Sequence, residues 1–140
     1  HYLGMFRDKR RVAKASGQRE RVVIKVNSNY FYAYEKFNDA LRNLAVGPGD
    51  VRQRLHSAYL NFQPVRKRHL PKQLQNDYQW ILNQLTRFGP VIGRDGKVLR
   101  SAIEETLIRI RNSTGSIIAE RILHIYHELN WLYMENETEP

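Results

Sequence analysis

The 140-residue sequence contains no cysteine. This absence excludes disulfide bonds, thiol catalysis and any zinc site built on cysteine ligands. The sequence also lacks an apolar run of the roughly 20 residues that a membrane-spanning helix requires, and its start does not show the pattern of a secretory signal. We therefore expect a cytoplasmic protein without a membrane partner.

Enzyme signatures are equally scarce. There is no glycine-rich phosphate loop that ends in Lys-Ser or Lys-Thr, no Gly-x-Ser-x-Gly elbow and no dinucleotide fingerprint. We expect no cofactor, and the sequence leans towards a protein that is not an enzyme.

Acidic residues are few, and their distribution is uneven. The net charge is +9, from 23 Lys and Arg against 14 Asp and Glu. Residues 1–25 carry eight basic residues against two acidic ones, and residues 51–72 carry six against none. These two stretches are typical of a surface that faces a polyanion, although positive charge also serves solubility.

Apolar residues recur at helical spacing over most of the chain. The longest pattern, from Ser116 to Tyr133, places Ile118, Ile122, Ile125, Leu129 and Leu132 on one stripe. Similar stripes follow Asn29, Asp50, Pro71 and Ser101, and Gly or Pro breaks separate them. The sequence therefore predicts an all-α fold, a compact bundle of about five amphipathic helices spanning residues 27–134.

The segments before, between and after these helices have other patterns. Residues 1–26 predict a basic N-terminal arm, in which the β-branched Arg21–Val26 favours one short strand. Asn27-Ser28-Asn29 then predicts the N-cap of the first helix. Residues 90–100 suit a small hairpin as well as a loop, and we favour an ordered loop. Residues 135–140 predict an acidic tail that frays.

Two basic clusters are the candidate nucleic-acid-binding residues, because clustered cations release counterions from phosphates. Aromatic residues follow the arm at positions 30, 31, 32 and 34, where exposed rings either stack on bases or pack within the protein. The candidates are Arg7, Lys9, Arg10, Arg11, Lys14, Arg19 and Arg21 in the arm, with Arg66, Lys67 and Arg68 in a connector between helices.

The last helix carries the densest group of ionisable residues: Glu120, Arg121, His124, His127 and Glu128. Its histidines are three residues apart, whereas a metalloprotease helix needs a spacing of four with an acid between them. We therefore predict no metal site and interpret this group as a solvated helix face.

Arg121 and His127 form an Arg-x5-His pair on this helix. The pair resembles the Arg-x4–6-His signature of HEPN ribonucleases, which are helical proteins that cleave RNA with such residues, usually paired across a dimer. The resemblance implies that the histidine exchanges protons at the ribose and that the arginine neutralises a phosphate. Ile122 departs from the family, which tends to have a polar residue directly after the arginine.

Three functional hypotheses follow from these patterns. The first is a small basic helical protein that binds nucleic acid non-enzymatically through phosphate contacts. The second is a protein-interaction or oligomerisation module, in which residues 1–26 join a protein partner or a second copy of the chain. The third is the HEPN-like ribonuclease with Arg121 and His127.

Overall fold

The computed structural model describes the backbone of residues 20–138 and the side chains of residues 30–134. Within that range the chain forms five α-helices and one two-stranded sheet, which confirms the predicted all-α bundle. The elements in chain order are α1 (Glu20–Val46), α2 (Val51–Phe62), a 3-10 turn (Lys67–His69), α3 (Lys72–Leu85), β1 (Val91–Ile92), β2 (Val98–Arg100), α4 (Ala102–Arg109) and α5 (Asn112–Thr138). No helix among these residues combines the length and the apolar character that a membrane crossing demands.

The two longest helices, α1 and α5, have 27 residues each and run antiparallel. The direction follows from two ring contacts, since Phe31 meets Tyr133, whereas Tyr34, further along α1, meets Tyr126, two turns earlier on α5. Helix α2 packs against both, α3 packs against α5, and α4 closes the bundle against α2 and α3. Each amphipathic helix thus buries its apolar face against its neighbours.

The core consists of the stripes that the helical spacing predicts. Phe37, Phe62 and Tyr78 join α1, α2 and α3 at its centre, where the first two rings stack with centroids 5.0 Å apart. The hydrophobic residues among those described that have no more than 2% exposure are Ala33, Phe37, Ala40, Leu55, Ala58, Phe62, Val65, Leu70, Leu74, Tyr78, Ile81, Leu85, Ile118, Ile122, Ile125 and Leu129.

Two helix starts carry capping boxes. Asp50 accepts hydrogen bonds from the backbone N–H groups of Arg52 and Gln53, and the Gln53 side chain accepts from the N–H of Asp50. Ser101 and Glu104 repeat the exchange at α4. Each box satisfies N–H groups that the first helical turn leaves without partners.

The strand predicted for Arg21–Val26 is wrong, and so is the N-cap predicted at residues 27–29, because α1 begins at Glu20 and runs through both. The predicted boundary between arm and helical domain therefore falls inside α1. Val22 and Val26 are four residues apart and continue the stripe of Ala33 and Phe37. Helical periodicity over 27 residues outweighs the local preference of β-branched residues for strands.

The loop favoured for residues 90–100 is a short antiparallel hairpin, which corrects that prediction. Its turn depends on Gly96, whose φ of 81° is left-handed, and on Asp95, whose carboxylate accepts a hydrogen bond from the N–H of Lys97. The sequence Gly93-Arg94-Asp95-Gly96 therefore supplies hairpin chemistry, as one of the two alternatives proposed.

The hairpin is tied to α4 by Glu105, a carboxylate with 5% exposure. Its two oxygens accept hydrogen bonds from Nε of Arg100 at 2.8 Å and Nε of Arg109 at 2.7 Å. These two bonds hold the pKa of Glu105 below its ordinary value, Arg100 being the larger cause. The buried carboxylate of Glu105 thus connects β2 to α4 through charge-assisted hydrogen bonds.

The boundaries of α5 also differ from the expectation. The helical pattern starts at Ser116, whereas α5 begins at Asn112, directly after the break at Ile110 and Arg111. At the other end the helix extends to Thr138 and includes part of the predicted acidic tail. Gly115 lies in the first turns of α5, where the helix approaches α2 closely.

Gly115→Val tests this approach. A Cβ at Gly115 would lie 2.9 Å from Cγ1 of Val51 and 3.4 Å from Cδ1 of Leu55, so the larger side chain is expected to lower the free energy of unfolding by about 1–3 kcal/mol. Urea unfolding monitored by circular dichroism measures the change. The matched control is Ser116→Val at the next, exposed position, and equal losses in the two variants would contradict the packing described here.

Candidate nucleic-acid interface

The connector between α2 and α3 is a short, ordered 3-10 turn. Residues 66–69, which we call the basic turn, place the side chains of Arg66, Lys67 and Arg68 at the surface, all exposed. A 3-10 turn rises only about 2 Å per residue, so the three cations leave one short stretch of backbone. No ion pair among the described residues involves any of them.

Buried residues on both sides hold the basic turn in place. Val65 and Leu70 have 2% exposure each and insert into the core. The hydroxyl of Tyr78 lies 2.6 Å from the carbonyl oxygen of Val65, to which it donates. The side-chain amide of Gln75 donates to the carbonyls of Lys67 and Leu70, at 3.0 and 3.2 Å. The backbone of the turn is therefore fixed from α3.

His69 closes the basic turn from within. Its Nδ1 accepts a hydrogen bond from the backbone N–H of Arg66 at 2.8 Å, and the N–H of His69 donates to the carbonyl of Arg66. Burial lowers the pKa of His69, and the charges of Arg68 and Arg66 lower it further. The neutral imidazole, which alone can accept at Nδ1, is thereby favoured.

Helix α1 borders the basic turn on one side. The ring of Tyr32 lies 4.8 Å from the ring of His69, and Nζ of Lys36 lies 5.6 Å from the centroid of Tyr32. On the other side, the exposed Lys72 begins α3. Lys36 and Lys72 thus extend the positive surface, and neither was among the residues predicted from sequence. The only sequence signal for Lys36 is its place one helical turn after Tyr32.

The predicted arm residues Arg7, Lys9, Arg10, Arg11, Lys14 and Arg19 lie outside the described residues. Arg21 belongs to the first turns of α1. The side chain of Arg21 lies outside the described side chains, which begin at residue 30.

The aromatic residues after the arm are largely engaged within the protein. Tyr34 stacks on Tyr133 with centroids 4.8 Å apart and on Tyr126 at 5.8 Å. Phe31 contacts Tyr34 and Tyr133, at 6.1 and 5.5 Å, and Tyr30 packs against the core. Of the two alternatives for these rings, packing within the protein is the one that the contacts support.

Arg121 and His127 project from different sides of α5, since six residues on a helix correspond to an angle of about 120° around its axis. Arg121 donates to Asp77 of α3 at 3.3 Å, and its guanidinium lies 4.6 Å from the ring centroid of Trp80. The histidine that reaches Asp77 as well is His124, at 3.5 Å. His127 lies beside the ring of Tyr126.

The described residues include no group of three or more His, Asp or Glu side chains arranged to hold a metal ion. A groove of about 530 Å3 lies between the start of α2, β2 and α4. Its two arginines are paired, Arg52 with Asp50 at 3.0 Å and Arg100 with Glu105 at 2.8 Å. Both cations of its lining therefore already have a carboxylate partner.

Comparison of the chain with models of protein families, with curated proteins and with solved structures finds no match.

Tyr78→Phe tests the anchor under the basic turn. Without the hydroxyl, the carbonyl of Val65 loses its donor, and we expect the free energy of unfolding to fall by about 1 kcal/mol. Denaturant unfolding measures the change. The control is Tyr59→Phe, because no hydrogen bond of the Tyr59 hydroxyl is found among the described contacts. An unchanged stability of Tyr78→Phe would count against the anchor.

The lowered pKa of His69 predicts a pH dependence of stability. Its folded pKa lies below the unfolded value of 6.5, so its contribution is complete above about pH 6.5 and is lost as the pH falls through the lowered folded pKa. His69→Asn keeps an acceptor near the position of Nδ1 and does not titrate. We expect the wild type to lose more stability than this variant between pH 7.5 and pH 5, measured by urea unfolding. Parallel pH profiles would refute the assignment.

Proposed function

We propose that the protein binds nucleic acid non-enzymatically, through phosphate contacts centred on the basic turn. The observation that carries this proposal is the position of Arg66, Lys67 and Arg68. Their side chains lie at the surface, on one turn whose backbone is held by the buried Tyr78. Three cations at one point release counterions when they meet a phosphate backbone. Lys36 and Lys72 flank them and widen the cationic surface.

The surroundings of the turn support phosphate binding in particular. Residues 51–72 contain no Asp or Glu, so no acidic residue of the turn or of α2 competes for its cations. The hydrogen bonds from Tyr78 and Gln75 hold the backbone before any ligand arrives. A preformed turn loses less conformational entropy on binding than a mobile loop does.

Little reading of base sequence is expected at this surface. The aromatic ring nearest to the turn, Tyr32, is already in contact with His69 and Lys36. Stacking on bases requires a free ring face. The proposal is therefore a contact with the backbone of nucleic acid that depends on charge more than on sequence.

A non-enzymatic function also agrees with the placement of the alternative catalytic pair. Arg121 is engaged by Asp77 and Trp80 on α3, and His127 projects from a different side of α5. Catalysis of phosphodiester cleavage needs both groups at one scissile bond. Within one chain, the two side chains do not converge.

The triple variant Arg66→Ala, Lys67→Ala, Arg68→Ala tests the proposal. Binding to labelled single-stranded and duplex oligonucleotides is measured by fluorescence anisotropy at several salt concentrations. We expect weaker binding for all sequences and a slope of log K against log salt that is less steep by about 2 to 3 for duplex, since each lost phosphate contact removes about 0.9.

The matched control removes three exposed cations elsewhere, in Arg94→Ala, Lys97→Ala, Arg111→Ala, with the same change in net charge. Equal effects of the two triple variants would assign binding to net charge rather than to the basic turn. No binding by the wild type at low salt would refute the proposal and favour the protein-interaction hypothesis. For that hypothesis the hairpin and α4 offer exposed apolar side chains: Ile92, Val98, Leu99 and Ile108.

A further inference from the structure

A second groove, of about 340 Å3, lies between α1 and the C-terminal half of α5. We call it the aromatic groove. Its apolar wall consists of Phe31, Tyr34 and Tyr133, whose ring centroids are 4.8 to 6.1 Å apart. Phe31 is 37% exposed, so part of its ring is open to solvent. The groove thus presents part of an aromatic ring beside open space.

Two carboxylates border this wall. Glu35 lies one helical turn after Phe31 and Asp39 one turn further, and both are exposed. Among the described residues, no hydrogen bond or ion pair of either carboxylate is found, whereas Asp50, Asp77 and Glu105 are all paired. Lys36 also lines the groove, but its ammonium group lies over Tyr32 on the side of the basic turn.

The arrangement suits an arginine or lysine side chain. A guanidinium is planar and can stack on a ring while its N–H groups donate to a carboxylate. Phe31 supplies the ring face, and Glu35 and Asp39 supply charges of the matching sign one and two turns further along the same helix. An anion would meet two carboxylates here, so the groove selects for cations.

The chain itself contains a segment of this chemistry. Residues 1–19, which lie outside the described residues, include six Lys and Arg, and they join α1 at Glu20. The groove residues on α1 run from Phe31 to Asp39. They lie 11 to 19 residues after Glu20, which corresponds to about 16 to 28 Å along the helix axis. An extended segment covers that distance with about 5 to 9 residues. Arg11 and Lys14 are nine and six residues before Glu20 and therefore fall within reach.

We propose that the aromatic groove binds basic side chains of the chain's own N-terminal segment, residues 1–19, within the same molecule. Docking there occupies cations that would otherwise contact phosphates. It therefore lowers the affinity for nucleic acid until a polyanion displaces the segment. This last consequence rests on the proposed function, whereas the docking itself does not.

Limited proteolysis of the full chain tests the docking without nucleic acid. Trypsin cleavage after Arg7, Lys9, Arg10, Arg11 and Lys14 is followed by mass spectrometry at low salt. We expect cleavage to be roughly fivefold faster in Glu35→Gln, Asp39→Asn than in the wild type, since an exposed ion pair and a cation–π contact together correspond to about this factor. Phe31→Leu, which keeps an apolar side chain but removes the ring face, should shift the rate in the same direction.

The matched control is Glu120→Gln, Glu128→Gln, which removes two carboxylates from another face of the bundle. Equal cleavage rates in the wild type and in all variants would overturn the docking. Protection that increases with protein concentration would also overturn it, because it would assign the segment to a second copy of the chain.

Oligonucleotide binding by the same variants tests the regulatory consequence separately. We expect Glu35→Gln, Asp39→Asn to bind more tightly than the control with the same net charge. Faster cleavage with unchanged binding would support the docking and refute its effect on nucleic acid. No binding by any variant would refute the proposed function while the proteolysis result stands.

Discussion

The hydrogen bond from the buried Tyr78 hydroxyl to the carbonyl of Val65 connects the core to the surface. The same ring meets Phe37 and Phe62 at the centre of the bundle, so α1, α2 and α3 converge on one side chain. Burial raises the pKa of Tyr78, so its hydroxyl stays a donor at any physiological pH. The position of the basic turn is consequently determined by core packing. The binding proposed at this surface therefore depends on how well the buried side chains fit together.

The helices, the buried stripes and both capping boxes could be predicted from the sequence because they are local. A stripe of apolar residues shows which face of a helix is buried, although it does not show which element packs against that face. The stripe of α5 is an example: Ile118, Ile122, Ile125 and Leu129. The strand at residues 21–26 was predicted wrongly, because a window of six β-branched and basic residues hides the stripe that continues through Val22 and Val26 into α1. The hairpin was one of two alternatives, and the choice depended on the conformation of Gly96.

The candidate site was predictable only in part, because much of it depends on contacts between residues that are distant in the sequence. Arg66, Lys67 and Arg68 are adjacent in sequence, so a composition pattern finds them. The contributions of Lys36, Tyr32 and Gln75 arise from tertiary contacts between α1, the basic turn and α3, which no local pattern contains. The pairing of Arg121 with Asp77 likewise joins residues 44 positions apart. Spacing on one helix cannot reveal a partner on another.

Helix α1 carries two surfaces of opposite sign on neighbouring sides. Tyr32 and Lys36 face the basic turn, while Phe31 and Glu35 lie about 100° away around the same axis. This separation places charges of opposite sign on neighbouring sides of α1. The field of a long polyanion exerts a torque on charges arranged in this way. For the nucleic-acid binding proposed above, these charges would therefore favour an approach with the side of the basic turn leading, before the first contact forms.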